Sequence, residues 1–489
     1  MSLEATSREL RAIIRTTVEV VGAFAPADLR YQLRSNTRPD NMLMLIIKLE
    51  LDGAFARQLA NQKWPLLRCL ELGSSALDVT QVAHLAEGQW PDLRSLEMNA
   101  SRLGMAALQL LAKADWPKLE RLKLDGETGQ PKDAVSAAQG IMIDKHSQQC
   151  LLQGKWPELR LLHINISDAD ALHFAPCNWP KLVALKVVAN KLHPEVLVRL
   201  AYGHWSCLRS LAIGLDSVAI RQLAQATWPK LVSLTLDGSP LGGQALQPIC
   251  KANWSQLRCV SLADSSLDNA GIECIAQAQW PLLTELHLAG NQLDIIAVKH
   301  MVSAERPLLQ KLDLGSCGLS ADTIQELVCG SWPAMRRLEV DNNELTAEAV
   351  VHLSKGVWPQ LRYLDMRNSQ LRGSTAMSHF VEAGWPLLQH LLLAFTHMDN
   401  LAISHLAQGS WLKLQTLTVD IAQATDMWSD DMFEILCKGR WPQLSKLVLN
   451  RVTLNLTPFA IQHIVKGCWP KMPDEVLAPE FQWHEVCSH

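Results

Sequence analysis

The apolar positions of this chain fall into one repeating frame. With Trp280 as position zero, leucines recur at +3, +6, +8 and +13: Leu283, Leu286, Leu288 and Leu293. The next unit supplies Leu309, Leu312, Leu314 and Leu319, and the one after it Met335, Leu338, Val340 and Leu345. The +6/+8 alternation has period two, the mark of a short strand with one buried face. Ile324, Leu327 and Val328, then Val350 and Leu353, are spaced as one face of a helix. Each unit is therefore predicted to be a strand, a turn, a short helix and a stop. A small residue, often Gly, sits at −2: Gly88, Gly154, Gly203, Gly330, Gly356, Gly409, Gly439 and Gly467. It is expected to take φ > 0 and end the helix, with Pro at +1 preventing continuation.

The tryptophans mark the register: Trp64, Trp90, Trp116, Trp156, Trp179, Trp205, Trp228, Trp254, Trp280, Trp332, Trp358, Trp385, Trp411, Trp441 and Trp469, most often 26 residues apart. Arg306-Pro307 fills the one gap. Trp at each helix-to-strand junction is expected to stack along the flank as an architectural spine, with the Arg306 guanidinium stacked between Trp280 and Trp332. The run LTELHLAGNQL (Leu283–Leu293) resembles the leucine-rich repeat signature, and the helix-bearing unit is most similar to the ribonuclease-inhibitor-like class of that superfamily. The resemblance implies an α/β solenoid, a horseshoe with a concave parallel sheet and convex helices. It implies a domain order of helical cap (residues 1–42), about 16 repeats (43–469) and a tail or cap (470–489). At the position of the signature Asn stand Asn190, Asn291 and Asn343, but also Ser75, Ser101, Ser265, Ser369 and Cys317, whose weaker side-chain bonds predict looser turns. Two units are long, around residues 125–150 and 419–433. Insertions of this kind often lie on a binding rim.

Composition narrows the function classes. The net charge of −4 over 489 residues offers no basic excess for nucleic acid or an anionic membrane. The 12 cysteines show no CxxC or CxxH spacing, which argues against zinc and disulfide frameworks and points to a reducing, cytoplasmic setting. The start MSLEATSREL lacks an apolar signal core, and the run Met42–Ile47 is far shorter than the ~20 residues that span a bilayer. A monomer without cofactor or metal is expected.

No phosphate loop, nucleophile elbow, HExxH or kinase signature occurs, so no enzyme is expected. The information lies in the outward strand positions. Phase +7 reads His287, Asp313, Glu339, Asp365; phase +5 reads Glu285, Lys311, Arg337, Tyr363; phase +9 adds Asp341 and Arg367. Asp313, Glu339 and Asp365 would stand about 5 Å apart on adjacent strands and raise one another's pKa. Lys311, Arg337 and Arg367 would offset that repulsion. Further on, His390, Leu392 and Phe395 offer an apolar anchor. His287 beside Asp313 raises the question of a metal, but strand-mounted side chains run parallel and ligands must converge. The leading expectation is a non-catalytic scaffold that binds a protein partner on this face. Reversal of Asp313, Glu339 and Asp365 should then abolish capture and spare the fold. The alternative is a regulator of an enzyme, similar to the leucine-rich-repeat GTPase activators or ubiquitin-ligase substrate receptors.

Overall fold

The computed structural model describes residues 17–20, 43–47, 51, 53–72, 77–99, 110–125, 156–165, 179–188, 205–215, 220–397, 400–421 and 430–450. The chain forms two compact units, residues 1–236 with 252–256 and residues 237–251 with 257–489.

Leucine at +6 and +8 makes one strand per repeat. The first unit carries β1 (Thr17–Val20), β2 (Met44–Ile47), β3 (Cys69–Leu72), β4 (Ser95–Asn99), β5 (Arg121–Asp125), β6 (Leu161–Asn165), β7 (Ala184–Val188), β8 (Ser210–Ile213) and β9 (Ser233–Thr235). Each pairs in parallel with the next. The second unit carries β10 (Cys259–Ser261), β11 (Glu285–His287), β12 (Lys311–Asp313), β13 (Arg337–Glu339), β14 (Tyr363–Arg372), β15 (His390–His397), β16 (Thr416–Ile421) and β17 (Lys446–Asn450), again parallel in chain order. Equivalent repeat positions are paired at the starts of the central strands, and only β14 with β15 shifts register beyond Met366: Leu286, Leu312, Leu338, Leu364 and Leu391 form one row, all buried. A one-residue slip would turn every leucine to solvent, so the apolar pattern itself holds the register.

Helices return the chain between strands. Those of the second unit include Asn269–Gln277, Ile295–Ser303, Ala321–Val328 and Ala347–Ser354, and neighbouring helices pack against each other. Their starts are capped by the residues before them. Asp294 accepts from the amides of Ile296 and Ala297, and Ser320 with Thr323 forms a reciprocal capping box. Helical residues such as Ile324 and Leu327 are buried, as are the strand leucines. Each unit is thus an α/β solenoid, with the +5 and +7 side chains on the sheet face opposite the leucines.

The structure revises several local expectations. Within residues 1–42, expected as a helical cap, the described segment Thr17–Val20 is a strand paired with β2. The sequence Thr-Val-Glu-Val carries β-branched residues suited to an edge strand. The long repeat around residues 125–150, most of the excess at 419–433, and the tail 470–489 lie outside the described residues.

The −2 glycines are not left-handed: Gly88, Gly330, Gly356, Gly409 and Gly439 are absent from the positive-φ positions. Their requirement is space. A Cβ on Gly88 would sit 2.5 Å from the Trp90 ring, and one on Gly356 2.8 Å from Trp358. Left-handed backbone falls instead at +10, at Asp264, Gly290, Ser316, Asn342 and Asn368. That bend aims the +11 side chain inward. Asn343 accepts from the amides of Cys317 and Leu319, both at 2.9 Å, and donates to the carbonyls of Leu314 and Val340, both at 2.9 Å. It thereby joins two successive turns. Asn291 repeats the pattern two turns earlier, and Cys317 between them sends its thiol towards the Leu288 and Gly315 carbonyls. The buried Ser369 hydroxyl has no partner, in line with the weaker turns predicted for serine.

The tryptophans are core. Each one described is buried to within 3%. Ring centroids stack at 5.4 Å for Trp90–Trp116, 6.0 Å for Trp228–Trp254 and 6.1 Å for Trp358–Trp385. Arg306 departs from the expected stack. Its guanidinium donates to the Ile275 carbonyl, in the helix Asn269–Gln277 of the repeat before.

Candidate functional site

The +5 and +7 rows of the second unit form one continuous face. Strand register places Glu285, Lys311, Arg337, Tyr363 and His390 side by side, and likewise His287, Asp313, Glu339, Asp365 and Leu392. Asp341 and Arg367 follow at +9 on the same face. All these sequence-predicted residues are therefore brought together. Phe395 belongs to β15 in register with Leu371 and Ile421, but its side chain lies outside the described residues. The apolar anchor thus retains only the partly exposed Leu392.

Opposite charges are interleaved. Glu339 is held by Lys311 Nζ at 3.1 Å and by Arg337 Nε at 2.7 Å. Asp365 is clamped by Arg367 through Nε at 3.0 Å and Nη2 at 2.7 Å, takes the Arg367 amide at 3.1 Å, and accepts from the Tyr363 hydroxyl at 3.2 Å. Such a bidentate pair is both strong and directional. The Arg337 guanidinium carbon lies 3.7 Å from the centroid of the Tyr363 ring, and Tyr363 in turn contacts His390 at a centroid distance of 5.8 Å. His287 bridges two acids: Nδ1 faces Asp313 at 3.4 Å and Nε2 faces Glu285 at 3.7 Å.

These contacts set the protonation of the face. The Asp313 bond, with a further one to Cys259, raises His287 to about 9 against the pull of burial. Burial pushes the Asp313 carboxyl up, but His287 and the Gly315 amide outweigh it and leave it below its ordinary value. The mutual repulsion expected of the carboxylate row is therefore overcome at Asp313. Asp341, at +9 and outside that row, is pushed upwards by burial and then by Asp365. Burial, with Asp365 beside it, carries Tyr363 to about 12. Burial and Arg337 lower His390.

Burial also corrects the expected surface. Asp365 is 1% exposed, so reversing its charge would set a lysine against Arg367 in the interior rather than alter an outer patch. Cys259 is the residue that sequence reasoning missed. On β10 it pairs with Glu285 of β11, and its +5 phase relative to Trp254 was the available signal.

The corresponding face of the first unit aligns Glu71, Glu97, Lys123, His163 and Lys186, with Lys123 Nζ 2.5 Å from Glu97.

No protein-family model matches the chain, and no curated protein matches it. Among solved structures, the chain is similar to an internalin from Listeria monocytogenes, at 15% identity and a TM-score of 0.37, over 86% of this chain and 93% of that one. It is also similar to a leucine-rich-repeat protein from Leptospira interrogans, at 17% identity and a TM-score of 0.40, over 86% of this chain and 98% of that one.

Proposed function

We propose that this chain is a non-catalytic protein-interaction scaffold whose contact surface is the charged sheet face of the second unit. The supporting observation is the stack of Arg337 on Tyr363, 3.7 Å from guanidinium carbon to ring centroid. Arg and Tyr are the side chains that most often dominate interface energies. Here both are held in place before any partner arrives, Arg337 by Glu339 and Tyr363 by Asp365. Ordered side chains lose less entropy on association, which favours binding through them. The alternation of signs suits a partner with its own mixed charges rather than a polyanion.

The eight described cysteines are free thiols; a reducing, cytoplasmic location and a monomeric chain belong to the same proposal. Among the described residues, no helix is long and apolar enough to cross a membrane.

The test is affinity capture from the native cell with the wild type, Arg337→Glu and Tyr363→Ala, all shown to be folded by circular dichroism. The two variants are expected to lose the partners that the wild type retains. Recovery of the same proteins in the same amounts would show that this face is not the contact.

A further inference from the structure

The charged face begins where β10 meets β11, and there a thiol, a carboxylate and an imidazole meet. Cys259 and Glu285 are paired directly across the two strands, and His287 follows two residues after Glu285 on the same face. One ligand atom from each lies within 4.8 Å of the other two. The objection that strand-mounted side chains do not converge therefore fails here.

The two nitrogens of His287 are divided between different tasks. Nδ1 is turned to Asp313 on the next strand at 3.4 Å, and Nε2 to Glu285 at 3.7 Å. A metal-bound histidine commonly shows this division, with one nitrogen ligating and the other held by a carboxylate. We propose that Cys259, Glu285 and His287 form a binding site for a zinc-class divalent metal, with Asp313 as the positioning residue for the imidazole.

The donor set decides the class of metal. Thiolate and imidazole select zinc and its neighbours over magnesium or calcium, which prefer oxygen alone. Tetrahedral zinc with its usual bond lengths holds its ligand atoms about 3.3–3.7 Å apart. His287 Nε2 and Glu285 Oε2 already stand at 3.7 Å. The Cys259 thiol stands within 4.8 Å of both, so at most about 1 Å remains to close to the tetrahedral spacing. Glu285 is 47% exposed, so the fourth position faces solvent and takes water. Loading releases the thiol proton of Cys259 and the proton on His287 Nε2. The nearest cation on this face, Lys311, is drawn to Glu339 at 3.1 Å.

A second group, Asp313, Glu339 and Asp341, also gathers within 4.8 Å. It offers oxygen only, and Lys311 and Arg337 already compensate Glu339. The presence of sulfur therefore separates the two groups experimentally.

Cobalt(II) titrated into the metal-free, full-length protein is the probe. A thiolate ligand gives cobalt a charge-transfer absorption in the near ultraviolet that oxygen ligands do not. One equivalent is expected to produce that absorption, with zinc displacing it. Cys259→Ser should abolish it. His287→Gln and the exposed Glu285→Gln should each weaken cobalt binding at least tenfold, and Asp313→Asn about 10–100-fold with the absorption intact at saturation. Absence of the absorption in the wild type overturns the site, as does its survival in Cys259→Ser, which would assign it to another of the 12 cysteines. Arg337→Glu is expected to keep the absorption, so the metal site and the partner face succeed or fail separately.

Discussion

The guanidinium of Arg306 donates to the carbonyl of Ile275, five residues before Trp280. In two other repeats that fifth-preceding carbonyl serves the repeat's own indole: Trp64 bonds Leu59 at 3.1 Å and Trp332 bonds Leu327 at 2.9 Å. The Trp280 indole N–H is buried without a partner, and Arg306 holds the acceptor in its place. The exception in the tryptophan column is thus a substitution of hydrogen-bond donor as well as of shape. Arg306→Ala should lower stability by about 1–2 kcal/mol through the lost bond and the lost packing of the stem. Arg306→Trp should recover most of that loss. Urea unfolding midpoints compare the two directly; equal midpoints for Ala and wild type would refute the role.

The −2 glycine makes room for an indole. Gly356→Ala drives a methyl to 2.8 Å from the Trp358 ring, and should cost about 1–3 kcal/mol because the buried ring has nowhere to move. Gly384 stands at −1 before Trp385 and nothing lies within 4 Å of its would-be Cβ. Gly384→Ala should therefore be neutral or stabilising by about 0.4–1 kcal/mol, through the unfolded chain. Thermal denaturation of the two variants should shift in opposite directions, or only for the first.

Asn343 bonds five backbone groups in two turns. Asn343→Ala leaves these buried groups without their partner and should cost about 3–5 kcal/mol, since each stranded polar group is expensive. Asn343→Ser should fall between wild type and Ala. Hydrogen exchange would localise the damage to the amides of Cys317 and Leu319; uniform exchange across the unit would contradict this account.

His287 provides the pH dependence. In the metal-free protein its value of about 9 lies above the ordinary 6.5, with the Asp313 bond as the main cause. A raised value means that the proton is bound more tightly in the folded state. The stabilisation is fully present below about pH 6.5 and is lost as pH rises through about 9. Asp313→Asn should return His287 towards its ordinary value. A titration of the imidazole proton resonances reads both; a wild-type midpoint near 6.5 would show that the pair does not form.

The repeat frame placed most of the charged face correctly because a period-two strand leaves no choice of side. Once Leu286 and Leu288 are buried, Glu285 and His287 must face the other way, and the fixed repeat brings Lys311 and Asp313 beside them. The frame did not distinguish Asp365, which is interior, from Glu285, which is open, because both occupy outward phases. Nor did it show Cys259 as part of the face, since a cysteine at an outward phase has meaning only beside Glu285 and His287.

The amino-acid pattern by itself determined the strand–turn–helix unit, the parallel register and the burial of the tryptophans, because each follows from spacing along one chain. The tertiary structure decided which charge meets which. Arg337 lies on Tyr363, Arg367 closes over Asp365, and Arg306 leaves the aromatic column for a carbonyl. Long side chains have several partners within reach, and the choice among them depends on distances between repeats that no linear spacing contains.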